Sequence, residues 1–344
     1  MRTLVIGGLP HAMDGSGYYR FYLPFAHLIR NSRHIIGLGP AGPQRAPLGP
    51  ADIPNMDVLA MQRPAGRAGV YQIERLLGHA KLVYETDDDM LQSVPSGLPH
   101  LFDEPTREGI RQSLRLVDAV TTSTPYLAEQ IRPYNPSVFV LPNFVKAGLL
   151  NLTRPRRDQL VVGWAGGTSH LVDMVTIADE LAGVLTSNPQ VDMHFMGFDY
   201  SPLLRRQCRW SNWEPDVGAY YKQIDFDIAI APLADVPFNR SKSHIRALEM
   251  AALGIPIIAA DVGPYREFVK DGKTGYLYSS PEEFAKRLDE LIHDPDARQE
   301  MGAAAKEQAK GHTIEEHWVQ WQDVYEEVAS SGTQDRGGDR PAGA

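Results

Sequence analysis

Two cations, Arg240 and Lys242, stand just before Ser243 in the run Phe238-Asn239-Arg240-Ser241-Lys242-Ser243. An apolar stretch then runs from Ala247 to Leu253 ahead of Gly254 and Pro256. That order predicts a basic loop, a helix over residues 243–253 opening on Ser243, and a buried strand over 255–259. A helix start offers unpaired backbone N–H groups and a partial positive charge, so with two cations beside it the segment is built to hold a phosphate. Glu249 falls nearly two turns into that helix, in an otherwise apolar stretch where a carboxylate needs a partner. Ribose hydroxyls would provide one, as they do for the acidic residue of dinucleotide-binding folds, and the combined ligand is a nucleoside diphosphate. The plain alternative is a solvated basic loop before a core helix, with Glu249 at the surface.

Three further segments carry candidate chemistry. Gly15-Ser16-Gly17 follows the first apolar run and opens a helix, where glycine lets backbone N–H groups approach a phosphate, although the same tripeptide also makes ordinary turns. Gly163-Trp164-Ala165-Gly166-Gly167-Thr168-Ser169-His170 reads as a strand running into paired glycines, with Thr168 or Ser169 capping a helix over 171–185. His170 is either a ligand contact or a plain first-turn residue. The acidic run Glu85-Thr86-Asp87-Asp88-Asp89 closes another strand. It could orient an acceptor hydroxyl or act as a base, or simply be an acid-rich helix start; metal binding is disfavoured because no second acidic cluster completes a shell. Trp210 and Trp213, near Arg205, Arg206 and Arg209, either frame a nucleobase or pack as an amphipathic loop.

These segments need a scaffold. A chain of 344 residues exceeds what one core usually supports, so two domains are expected. Short β-branched runs at 4–6, 35–38, 58–60, 82–84, 119–121 and 138–141 alternate with helical stretches at 71–77, 105–116 and 126–131, the rhythm of a layered α/β domain. It restarts with strands at 160–164, 193–196, 228–231, 255–259 and 276–278, after a polar, proline-broken linker at 150–158. Ile314, Trp318, Trp321, Val324, Tyr325 and Val328 recur at helical spacing over 314–328, and the tail from 330 to 344 has the composition of disordered chain. The expected division is a domain over 1–152, a second over 158–312, and a last helix at 314–328.

Cys208 is the only cysteine, which excludes an internal disulfide or a thiolate zinc site and fits a cytoplasmic setting. The formal net charge of -9 argues against a broad grip on nucleic acid, unless Arg20, Arg30, Arg33 and Arg63 gather on one face. No stretch reaches the length of a membrane span, and the first apolar run is too short for a signal segment.

The second half resembles the donor-binding domain of the retaining GT-B glycosyltransferases, the group 1 (family 4-like) transferases. The likeness rests on residues 163–170, Phe226-Asp227-Ile228-Ala229-Ile230-Ala231-Pro232-Leu233, residues 238–243 and 248–254, Pro256, Gly263-Pro264, Gly272-Lys273-Thr274-Gly275 and Asp294-Pro295. It is fainter in the first half, at 15–20, Thr122-Ser123-Thr124-Pro125 and Leu141-Pro142-Asn143. The resemblance implies two Rossmann-like doubly wound domains facing across a cleft, with the last helix crossing back onto the first. It implies transfer of a sugar from a nucleotide-diphosphate donor to an acceptor hydroxyl, with no cofactor and no metal. In this frame Arg240 and Lys242 neutralise the leaving diphosphate and Asp88 orients the acceptor. Gly17, Gly166, Gly167, Ser169, His170, Ser243 and Glu249 complete the donor site.

The chain departs from the family at two places. The first glutamate of the family's spaced pair is Ser241 here, and the usual Arg and Lys are missing from 163–170, so Arg240 and Lys242 are expected to carry that charge. The acceptor is a glycan or lipid intermediate, a protein or a hydroxylated base of phage DNA, with nucleic acid ranked last by charge. Two other readings stand beside this one. One is a non-catalytic nucleotide-sugar-binding protein on a decayed transferase fold. The other is a nucleotide-sugar epimerase or oxidoreductase, which the glycine pattern at 7–17 fits poorly.

Overall fold

The apolar runs of the first half form six parallel strands: β1 (Val5–Leu9), β2 (Ile35–Leu38), β3 (Val58–Gln62), β4 (Lys81–Thr86), β5 (Ala119–Thr122) and β6 (Val138–Val140). Those of the second half form six more: β7 (Val161–Gly166), β8 (Asp192–Gly197), β9 (Arg209–Asn212), β10 (Ile228–Ala231), β11 (Ile257–Ala260) and β12 (Gly275–Tyr278). This computed structural model describes residues 2–40, 48–92 and 103–332. The first sheet runs β2-β1-β3-β4-β5-β6 and the second β12-β11-β10-β7-β8-β9. Helices cover both faces, so central strands such as β3 and β5 are buried at every position and read as continuous apolar or hydroxyl-bearing runs. The result is the expected pair of doubly wound sheets.

In each sheet the chain reverses direction beside its first strand, between β1 and β3 and between β7 and β10. A crevice opens beyond the carboxyl ends of the strands at such a reversal, because the flanking helices leave in opposite directions. Close packing under it is visible at Gly163 in β7, where a Cβ would lie 2.0 Å from the Phe226 ring. Only glycine lets that ring close the layer.

Strand β9 was not among the expected elements. It pairs with β8 alone, and its polar residues alternate between half-buried and exposed, so no apolar run marks it. The helix expected over 171–185 is split into Leu171–Val175 and Ala178–Ser187. The break lies where the Thr176 hydroxyl donates to the Asp173 carbonyl at 2.6 Å, a local bond that competes with the helix ladder.

The last apolar stripe forms Ile314–His317 and Val319–Ser330. It lies on the helix Leu23–Asn31 of the first sheet's layer, with the Phe25 and Tyr325 rings 6.1 Å apart and Ser32 Oγ donating to Gln322 at 2.8 Å. Trp321, Tyr325 and Val328 are buried there. Of the expected disordered tail, residues 333–344 lie outside the described residues.

Candidate functional site

The carboxyl ends of the two sheets face one cleft. Ser16 follows β1, Asp87 and Asp88 follow β4, and Asn143 follows β6 on one wall. Gly166 at the end of β7, Trp213 after β9, and Lys242, Ser243, Arg246 and Glu249 after β10 make the other. The walls touch through side chains: Asn143 Nδ2 donates to Ser243 Oγ at 2.9 Å, and Thr124 Oγ1 donates to the Ser241 carbonyl at 2.8 Å.

Of the expected residues, Asp88, Gly166, His170, Lys242, Ser243 and Glu249 line the cleft; Gly17, Gly167, Ser169 and Arg240 do not. Arg240 needs the clearest correction. It ends the short helix Pro237–Arg240, which carries its guanidinium to the outer surface and into a two-point pair with Asp235 at 2.6 and 2.9 Å. Lys242, two residues on, turns the other way. Gly17 is a structural glycine: its N–H donates to the Asp14 cap at 2.8 Å, and a Cβ there would strike the Ala12 carbonyl at 1.9 Å. Gly167 precedes a 3-10 turn, Thr168–His170, that contains Ser169; the Gly167 carbonyl accepts from Tyr200, and neither Thr168 nor Ser169 caps a helix. The helix expected to open on Ser243 spans Ile245–Ala252 with His244 at its cap position, so Ser243 sits just outside it.

His170 is buried and serves the protein. Its Nδ1–H donates to Asp173 Oδ2 at 2.7 Å, and its Nε2 accepts from Arg246 at 3.1 Å. Burial, with Arg246 and Lys242 nearby, pushes the imidazole pKa well down, so the ring is neutral. Asp173 Oδ1 also accepts from the Ala234 N–H at 2.9 Å and from Asn239 Nδ2 at 2.7 Å. These bonds outweigh its burial and hold the carboxylate charged.

Glu249 faces the cleft but is only 7% exposed, and its carboxylate accepts from the hydroxyls of Tyr19 and, at 3.3 Å, Tyr221. The partner that its burial demands therefore comes partly from the first sheet's layer. Burial raises its pKa from 4.5 to about 7, against the opposing hydrogen bond from Tyr19, the charge of Arg246 and the bond from Tyr221. In the unfolded chain the group titrates near its ordinary value, so the folded state binds more protons between the two. Its contribution to stability is thus full below about 4.5 and lost as pH rises through about 7. Glu249→Gln is expected to flatten that decline in urea midpoints measured across the window; an unchanged slope would show that Glu249 is not its source.

On the opposite wall, Arg63 Nη1 pairs with Asp88 Oδ2 at 3.3 Å and Ser16 Oγ donates to Asp87 at 2.8 Å. Burial and the neighbouring Asp87 push the Asp88 pKa upward. Asp89 turns away to accept from the Leu91 N–H at 3.2 Å. Among the described residues no group of three or more His, Cys, Asp or Glu is placed to hold a metal ion. Of the four arginines that a nucleic-acid face would gather, three are paired: Arg20 is buried against Glu85, Arg33 pairs with Glu326, and Arg63 with Asp88.

Tyr19 and Arg246 are among the cleft residues that escaped the sequence reading. Tyr19 gave no signal beyond an aromatic segment. Arg246 had one: a cation three residues before Glu249, on the same face of a helix whose following residues are apolar.

Comparison with known proteins agrees with this architecture. Residues 200–308 match the family model described as Glycosyl transferases group 1. The chain is similar to a D-inositol 3-phosphate glycosyltransferase of Paenarthrobacter aurescens, 25% identical over 244 residues that cover 70% of this chain and 51% of the relative. A protein of the same description from Corynebacterium diphtheriae is 35% identical over 101 residues, 29% of this chain and 24% of its own length. The matched stretch thus spans about half of the first relative and less of the second. Among solved structures, Anabaena HepE in complex with UDP and glucose superposes with a TM-score of 0.69 at 16% identity, over 94% of this chain and 100% of that one. Sucrose-phosphate synthase of Thermosynechococcus elongatus superposes with a TM-score of 0.65 at 15% identity, over 94% and 99%. The chain thus has the GT-B fold, and its residues 200–308 match the family model of the glycosyl transferases group 1.

Proposed function

We propose that this protein transfers a sugar from a nucleoside-diphosphate donor to an acceptor hydroxyl with retention of anomeric configuration. The observation that carries the reading is the polarity of the cleft: Lys242, Ser243 and a helix start after β10 on one wall, and Asp87 and Asp88 after β4 on the other. A diphosphate fits the cationic wall, with charge and N–H groups arranged before it arrives. The half-exposed ring of Trp213 offers a stacking face for the base, and Glu249 lies where ribose hydroxyls would compete with Tyr19 for its oxygens.

In the transfer, the acceptor oxygen bonds to the anomeric carbon on the face from which the diphosphate leaves. The bond from that carbon to the diphosphate oxygen breaks, and the hydroxyl proton passes to the departing phosphate. Lys242 meets the charge that grows there, and Asp88 orients the hydroxyl. This reading invokes no cofactor. UDP-glucose in HepE structures is the donor class nearest to hand for the test. No helix among the described residues is long and apolar enough to cross a membrane, and with its lone cysteine the chain is assigned to the cytoplasm under this proposal.

Incubation with UDP-, GDP-, ADP- and TDP-sugars tests it. One donor class is expected to raise the thermal midpoint, by the equivalent of about 2.7 kcal/mol at 100 times its Kd, and to be hydrolysed slowly without acceptor. If no member of the panel does either, the transfer reading is lost. Binding without hydrolysis or transfer, whatever the acceptor supplied, would favour a decayed transferase.

A further inference from the structure

We infer that Arg246 is a diphosphate-binding residue of this cleft and that His170 and Asp173 are its positioning residues; the inference rests on the donor reading above. Arg246 lines the cleft with Lys242 and Ser243, in the first turn of the helix Ile245–Ala252. Its guanidinium lies over the Trp164 ring, 5.4 Å from the centroid, and one amino group donates to His170 Nε2 at 3.1 Å. The other, Nη1, is buried and makes no hydrogen bond of good geometry among the described residues, although the Tyr265 side chain stands close to the guanidinium. A buried charged donor with nothing to donate to is costly, and in a native fold it asks for an explanation. A phosphate oxygen in the cleft supplies the missing acceptor.

The surroundings are shaped around this one side chain. Gly166 ends β7 beside it, and a Cβ there would lie 2.7 Å from Arg246 Nη2. The glycine therefore leaves room at the strand end for both the guanidinium and the Trp164 ring beneath it. His170 can accept the Arg246 N–H only as a neutral ring whose own N–H points at Asp173, the tautomer that an arginine donor on one ring nitrogen and a carboxylate on the other require. Asp173 is in turn held by the Ala234 N–H and Asn239, so the orientation of the guanidinium is set by a buried chain that starts after β10 and ends in the cleft. A planar fork fixed in this way binds a diphosphate through two oxygens, which a mobile lysine does not.

The test uses the full-length protein and inorganic pyrophosphate as probe, by calorimetry, with thermal midpoints recorded for every variant. Arg246→Met is expected to weaken pyrophosphate binding by about 10- to 100-fold, the range for one or two charge-assisted hydrogen bonds, and Arg246→Lys by less. His170→Ala is expected to weaken it severalfold, and that loss should vanish when the change is made on Arg246→Met. A purely structural role for His170 would add instead. A folded Arg246→Met or Arg246→Lys protein that binds pyrophosphate as the wild type does overturns the assignment and leaves the transfer reading standing. Loss of pyrophosphate binding in the variants, with no nucleotide sugar turned over by the wild type, supports Arg246 and sinks transfer. A wild type that does not bind pyrophosphate overturns the assignment as well.

Discussion

Lys242→Ala is expected to reduce kcat/KM for the donor identified by the panel by about 10²–10³-fold, with little change in thermal midpoint. The Lys242 ammonium stands in the cleft 4.9 Å from the Phe238 ring centroid, where the leaving diphosphate would gather charge. A charge already in place needs no reorganisation as the reaction proceeds, which makes its loss expensive in rate. The fold has little stake in it, because the turn is held by the Lys242 N–H donating to the Asn239 carbonyl at 3.2 Å and by Ser241 Oγ donating to Phe238, both of which survive the change. Arg240→Ala is the matched control. Its partner is Asp235 at the outer surface, so donor kinetics should barely move. Equal losses from the two substitutions would mean that the basic turn acts through its net charge, and the assignment to Lys242 would fail.

The second large effect concerns what holds the two walls in register. Arg20 and Glu85 form an ion pair with side chains 0% and 2% exposed and an Nε to Oε1 distance of 2.5 Å. Arg20 also donates to the Leu141 carbonyl and to Asn143 Oδ1, and Asn143 passes the connection to Ser243 in the cleft. Burial raises the Glu85 pKa to about 7, against the pull of Arg20. Arg20→Met is expected to destabilise the protein by about 3–5 kcal/mol in urea unfolding, because it leaves a buried carboxylate without its cation. Changing both partners, Arg20→Met with Glu85→Leu, should recover much of that loss, since an apolar pair needs no compensation. A single-variant loss below about 1 kcal/mol, the range of exposed pairs, would show that the pair is solvated. So would a double variant no better than the single.

The central strands could be read in advance because both faces of a parallel sheet are covered there, and the chain must therefore write them as apolar runs. The edge strands β2, β6 and β12 were legible because they keep Ile, Val, Leu or aromatic residues, whereas the fourth edge, β9, is written in Arg, Trp, Ser and Asn. The cleft was legible to the extent that ligands gather beyond strand ends, which is why the segments after β4, β7 and β10 were singled out. Arg240 and Lys242 show where that legibility stopped. They are alike in type and two apart in sequence, and a single helical turn sends one to solvent and the other into the cleft.

Strand positions, the two-sheet plan and the cationic turn follow from composition and period, because hydrophobic burial acts on each segment according to its own pattern. The partners do not. Tyr19 reaches Glu249 across 230 residues and Arg20 reaches Glu85 across 65. Arg246 meets His170 across 76. Such pairings arise only when separate layers dock, and local propensity carries no record of which side chains the docking will bring together.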